Sequence, residues 1–157
     1  MDTRKIEFAR ESLNKSKKFQ DDPFVEFIVL WIGLNALYSE FAGREIDKLK
    51  CLLTQNQKAV IDILENSRKI LLEIEDYINL TSQHNNLSVY LKTRRSFITN
   101  CVHDKSVEYF AEFLSEVRNN MFHAGKLWNK EEEGDLLKMV NSILFLLVNN
   151  IANSSLN

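Results

Sequence analysis

Residues 21–43, DDPFVEFIVLWIGLNALYSEFAG, decide the reading of the fold. The stretch opens on Asp22-Pro23, a helix-start pair. An Asp carboxylate accepts from the free amides of a first turn, and proline suits the first helical position because its missing N–H has no intrahelical partner there. The run after Pro23 is apolar nearly all round: Phe24, Phe27, Ile28, Leu30, Trp31, Ile32, Leu34, Leu37 and Tyr38. The pattern predicts a helix from about Pro23 to Phe41, with Gly43 as its C-cap. A helix without a polar face is either central in a bundle or one side of a subunit interface.

Working outward, the same period recurs on both sides. Upstream, Ile6, Ala9, Leu13 and Ser16 fall on one stripe of a helix over about residues 2–19, with Phe8 off that stripe. Downstream, Leu49, Leu52, Leu53, Val60, Ile63, Leu64, Ile70, Leu71, Ile74 and Ile78 give a helical pattern over about residues 45–78, interrupted near Thr54–Gln57. The segment from Asn79 to Val102 loses the period and reads as irregular, with one short helix around Leu87–Phe97. A helix from about Asp104 to Met121 buries Val107, Phe110, Ala111, Leu114 and Val117. The last, from about Glu131 to Ile151, buries Leu136, Leu137, Val140, Ile143, Leu144, Leu147, Val148 and Ile151. Four glycines and one proline are too few for the many tight turns of an all-β chain. The expected fold is all-α, an antiparallel bundle of four to five main helices in one domain over residues 1–157.

The hydrophobic share of 45% is enough for one sizeable core and argues against disorder. A formal net charge of −2 excludes a generic basic nucleic-acid coat, though not an enzyme with local positive potential. Cys51 and Cys101 form no CxxC pair, so zinc-ribbon and thioredoxin-like readings fail, and reduced core thiols are expected. The apolar runs Phe27–Tyr38 and Ile143–Val148 are too short to span a bilayer. The N-terminus reads as a charged amphipathic helix and not a signal peptide. A cytoplasmic protein without a membrane segment is therefore expected.

Chemistry concentrates in Glu116-Val-Arg-Asn-Asn-Met-Phe-His-Ala-Gly-Lys126, at a helix end. Asn119 and His123 are four apart and share a helix face, with Arg118 about 100° round from Asn119. Metal-independent RNA cleavage must take a proton from a 2′-hydroxyl and give one to the departing 5′-oxygen. Histidine, with an ordinary pKa of about 6.5, carries protons near neutrality. Arginine's planar fork matches the charge that builds on the phosphorane oxygens, and an asparagine amide can orient either partner. One histidine supplies half of an acid–base pair, which makes a two-fold dimer attractive. The same three residues also suit a plain helix C-terminus, where cations and Asn are favoured by the dipole and by capping.

The string Arg118-Asn119-Asn120-Met121-Phe122-His123 resembles the signature of HEPN domains, an Arg, a polar residue directly after it, and a His with about four to six residues between Arg and His. A second block, Trp31-Ile-Gly-Leu-Asn-Ala-Leu-Tyr38, resembles a Trp…Asn-Ala-Leu-Tyr helix in the Apea-like branch of that family. Two blocks in the right order, some eighty residues apart, are more specific than either alone. The resemblance implies an all-α fold, frequent homodimers, and metal-independent endoribonuclease activity in many members. It also implies a setting of toxin–antitoxin, phage-defence or stress systems, with an antitoxin or defence partner. Arg118, Asn119 and His123 carry over by position as catalytic residues, and Lys126 as a helper for phosphate binding. Some HEPN toxins place a Tyr two residues after the His, where a nucleotidyltransferase antitoxin modifies it; Gly125 stands there in this chain. Some members only bind, so a non-catalytic nucleotide- or protein-binding module is the alternative.

Further groups complete the reading. Trp31, Asn35 and Tyr38 are expected beside the site in a structural role, with Asn35 as a buried, hydrogen-bonded amide bracing the motif helix. Lys92, Arg94 and Arg95 form a basic cluster that suits RNA backbone as well as a solvated loop, and Lys17 and Lys18 make a weaker case. His84 and His103 have no metal-ligand spacing, so no metal and no cofactor is expected. Glu131-Glu132-Glu133 suits the first turn of the last helix and would repel RNA.

Overall fold

Asp2 starts the first helix, α1 (Thr3–Ser16), by accepting the Arg4 amide at 3.0 Å. A 3-10 turn over Lys17–Phe19 then leads to Asp22, whose Oδ1 accepts from the Val25 amide at 3.3 Å. Pro23 stands next, at the head of α2 (Pro23–Tyr38), so the helix start is the one its local chemistry calls for. The computed structural model describes residues 2–80, 95, 98, 105–122 and 130–154.

The end of α2 departs from expectation. The helix stops at Tyr38, whose carbonyl accepts from the Phe41 amide at 3.1 Å, and Ser39 Oγ donates back to the Ala36 carbonyl at 2.8 Å. These bonds satisfy the last turn without Gly43. Gly43 serves the next element instead. Its φ of +106° turns the chain into α3 (Glu45–Gln55), where an added Cβ would press on Asp47 Cβ at 3.3 Å.

The single interrupted pattern over residues 45–78 is broken twice. α3 gives way at Asn56 to α4 (Gln57–Asn66), which gives way at Ser67 to α5 (Arg68–Leu80). Asn56 closes α3 with its backbone N–H on the Leu52 and Leu53 carbonyls and its side-chain amide on Leu52 at 2.9 Å. Ser67 is buried, and its backbone N–H still reaches the Ile63 carbonyl at 2.9 Å. The chain bends there without leaving the buried stripe, which is why periodicity does not reveal the break. The remaining helices among the described residues are α6 (Ser106–Phe122) and α7 (Lys130–Ser154). Ile98 is wholly buried, whereas the expected short helix over 87–97 lies largely outside the described residues.

Named contacts fix the packing directions. Lys5 pairs with Glu40 at one end of α1 and α2, and Gly33 meets Ser12 near the middle, so the two run antiparallel. Arg10 donates to the Ala152 carbonyl at 2.9 Å and Lys17 lies over the Phe145 ring, so α1 also runs antiparallel to α7. Glu45 faces Arg118 and Lys50 faces Glu112, which sets α3 antiparallel to α6. The buried apolar side chains form one contiguous cluster, and the described residues make an all-α bundle.

α7 lies at the centre of that cluster, against α1, α2, α4 and α5. By length and composition, Glu133–Ser154 is apolar enough to cross a membrane. Here its apolar row is spent on the core: Leu136, Leu137, Leu144, Leu147 and Val148 are fully buried. Cys51 is a correction. Its expected place is the core, but Leu49, Leu52 and Leu53 take the inward positions of α3 and leave Cys51 exposed. Cys101 lies outside the described residues.

Candidate functional site

The site begins on α2. Trp31 and Tyr38 are seven residues apart, within about 20° of each other round the helix, and both are buried. Phe27 packs against the Trp31 ring with centroids 5.8 Å apart. The Trp31 side chain lies beside the Tyr38 oxygen. The Tyr38 hydroxyl in turn donates to Glu45 Oε1 at 2.9 Å, at the head of α3. Burial, with the hydrogen bond to Glu45 and its negative charge, pushes the phenol far above its ordinary pKa. The charge of Arg118 and the neighbouring Trp31 side chain oppose this only in part. Tyr38 is therefore a permanent neutral donor that anchors a carboxylate.

The other half of the site comes from the last turns of α6. Arg118 Nη2 lies 3.4 Å from Glu45 Oε2. Its Nη1 donates to Asn119 Oδ1 at 3.1 Å, and its Cζ sits 5.5 Å from the Phe122 ring centroid. Phe122 leans in turn on Phe24 of α2, 6.2 Å between centroids. Arg118 Nε is buried, with no acceptor among the described residues. A planar guanidinium gripped at both terminal nitrogens and stacked on a ring has little freedom to turn. A continuous path thus runs Tyr38, Glu45, Arg118, Asn119.

Beside Asn119 opens a cleft of about 410 Å³ between α3 and α6, walled by Arg44, Asp47, Lys50, Glu112 and Glu116 among others. Arg44 forks onto Asp47, Nε to Oδ2 at 2.9 Å and Nη2 to Oδ1 at 3.3 Å. That hydrogen bonding holds the Asp47 carboxyl below the usual carboxylate range. Lys50 pairs with Glu112 across the cleft. Cations and carboxylates therefore alternate along its walls.

Of the residues singled out by sequence, the structure brings together Arg118, Asn119, Trp31 and Tyr38. His123, Lys126, Lys92 and Arg94 lie outside the described residues, as do His84 and His103. Arg95 is tied elsewhere: its Nε meets Glu75 Oε1 of α5 at 2.6 Å, and Glu75 is nearly buried. Asn35 is a correction. Its side chain is exposed, so it braces nothing in the core. At 100° per residue it projects about 40° beyond Trp31, far enough to leave the buried row. An α2 apolar on every side gives no sign of which flank faces solvent.

Sequence reasoning missed Glu45, Arg44 and Lys50. Glu45 in a first helical turn reads as a dipole partner. Nothing local tells that it reaches across to Arg118. Among the described residues, no group of three or more His, Cys, Asp or Glu side chains is placed to hold a metal. A scan of protein-family models and searches of curated proteins and of solved structures found no match to the chain.

Proposed function

We propose that this chain is a metal-independent endoribonuclease of the HEPN type, with Arg118, Asn119 and His123 as its catalytic residues. The observation that carries the reading is the path from Tyr38 through Glu45 to Arg118. It joins the two sequence blocks on which the resemblance rests, although some eighty residues separate them. In this reading Arg118 stabilises the phosphorane and Asn119 fixes the plane of the guanidinium. His123 moves the proton: one imidazole takes it from the 2′-hydroxyl, whose oxygen attacks phosphorus, and one protonates the departing 5′-oxygen. The products are a 2′,3′-cyclic phosphate and a 5′-hydroxyl. Two imidazoles call for two copies, hence a composite site in a homodimer. Exposed apolar side chains suit such a contact, since Ile32 of α2 and Phe122 of α6 are each 46% exposed. Lys126 assists phosphate binding. A cytoplasmic toxin or phage-defence enzyme, held in check by a partner protein, fits this chemistry.

The test is RNA cleavage in EDTA by wild type and by folded His123→Ala, with the end groups mapped. Cleavage by wild type alone, leaving a cyclic or 3′-phosphate, is the expected result. Cleavage retained by His123→Ala overturns the mechanism. The second reading, a non-catalytic nucleotide- or protein-binding module of the same fold, draws on Glu45 beside Arg118 and on Asp47, Glu112 and Glu116 in the cleft beside Asn119. It expects no turnover on diverse RNAs, but a ligand that raises the thermal midpoint.

A further inference from the structure

The arginine assigned to phosphate already holds an anion. Glu45 lies on the Arg118 fork, Oε2 to Nη2 at 3.4 Å, while its other oxygen accepts from Tyr38 at 2.9 Å. A carboxylate and a phosphate edge present the same planar pair of acceptors to a guanidinium. Both Glu45 and Arg118 are partly open to solvent, with side chains 41% and 35% exposed, so an incoming phosphodiester can reach the contact. Tyr38 is fully buried and keeps its hold on Glu45 whether or not Arg118 stays. A phosphate arriving at Arg118 therefore meets a negative charge already held there.

We propose that Glu45 is a resident carboxylate on Arg118, anchored by Tyr38, that a phosphodiester of RNA must displace from the arginine in order to bind. This rests on the reading of Arg118 as the phosphate-binding residue. It assigns Glu45 a restraining role at that site. Like charges held near one another weaken binding of the second, so the carboxylate lowers the affinity of the free site for any RNA phosphate. A restraint of this kind also selects. Only an RNA with enough additional contacts to offset the local repulsion gains the arginine.

The experiment uses a 2′-O-methyl oligonucleotide, which binds without being cleaved, and reads its dissociation constant by fluorescence anisotropy. Wild type is compared with Glu45→Gln, Tyr38→Phe, Arg118→Ala and the double variant Glu45→Gln/Arg118→Ala. Glu45→Gln keeps an oxygen for the Tyr38 hydroxyl and removes only the charge. It is expected to bind about threefold to fivefold more tightly, the scale of a part-exposed charge contact. Tyr38→Phe frees the carboxylate to move and should give a smaller gain. The gain must vanish when Arg118 is absent. Glu45→Gln binding no tighter than wild type, or a gain that persists without Arg118, overturns the restraint. Absence of binding by every variant overturns it as well.

Cleavage of the matching 2′-hydroxyl oligonucleotide, run in parallel, separates this inference from the ribonuclease reading. Tighter binding without turnover keeps the restraint and removes the catalysis. Turnover with unchanged binding does the reverse. A thermal melt of each variant confirms that a folded chain is being compared.

Discussion

Two flanks of α2 meet the rest of the molecule by different physics. Toward α1 and α7 the contact is close and largely dry. Leu30 is wholly buried, and Gly33 lets Ser12 of α1 approach so nearly that an added Cβ would stand 2.9 Å from Ser12 Cβ. The polar exception, Asn141 of α7, is itself 2% exposed, and its amide donates to the Pro23 carbonyl at 2.8 Å and to Glu26 at 3.0 Å. Toward α3 and α6 the contact passes from the buried Tyr38 to Glu45 and Arg118, which are partly open to solvent. The dry flank carries stability through area and close packing. The polar flank holds a charged group in a chosen orientation, a task that adds little net free energy. One helix thus supplies both the spine and one wall of the candidate site, and substitutions on its two sides should be felt in different measurements.

Phe27→Ala should have the largest effect on stability. It removes a fully buried ring and leaves a cavity beside Trp31, so unfolding in urea should show a loss of about 3–5 kcal/mol. A loss below about 1 kcal/mol would mean that the buried side of α2 is far looser than its burial implies. Gly33→Ala comes next. Alanine helps a helix by about 1 kcal/mol, yet crowding a packed contact costs about 1–3 kcal/mol, and at 2.9 Å the crowding should win. Ser12→Gly in the same chain removes the opposing side chain. A double-mutant cycle in the same urea assay should therefore return a favourable coupling. Additive losses would show that the two helices do not touch there.

The dry flank was much more legible in the sequence than the polar one. The start of α2 is set by Asp22 and Pro23, and the stripes of α1, α6 and α7 by apolar spacing, because capping and periodicity are local rules that each residue obeys within a turn or two. Ser67 escaped because a bend between two helices that keep the same buried face leaves the apolar stripe intact. At the site, Arg118 and Asn119 were visible as neighbours in the chain. Glu45 was not, since its choice of Arg118 depends on how α3 is set against α6, a property of the assembled bundle. Asn35 failed for a related reason: the apolar period of α2 says how much of the helix can be buried, and only its neighbours decide which side is.

On the polar flank the two measurements should part. Arg118→Ala is expected to reduce RNA cleavage by about 10²–10³-fold, the range for losing a transition-state donor. Its unfolding free energy should change by less than about 1 kcal/mol, as for other part-exposed ion pairs. Tyr38→Phe should cost about 1 kcal/mol, since a buried ring stays in place and one hydrogen bond goes. A drop of several kcal/mol in either variant would erase the distinction between the flanks and make Arg118 a structural residue first.

The smallest effect sharpens the comparison from the dry side. Glu26 lines a cleft with Lys17, Lys138 and Asn141, and burial raises its carboxyl above the ordinary value, the Asn141 hydrogen bond opposing in part. A raised carboxyl holds its proton more firmly in the folded chain than in the unfolded one. The stability this contributes is fully present below the unfolded value and is lost as pH rises through the folded value. Glu26→Gln does not titrate, and its amide oxygen can still accept from Asn141. Wild type and variant should therefore be closest in stability in acid, and the variant should gain on wild type as pH climbs through the weakly acidic range toward neutrality. Urea midpoints of both proteins across that range read the difference directly, because every other titrating group acts on the two alike. A gap that stays flat would mean that water reaches Glu26 freely, and that the dry flank ends before the N-terminal turn of α2.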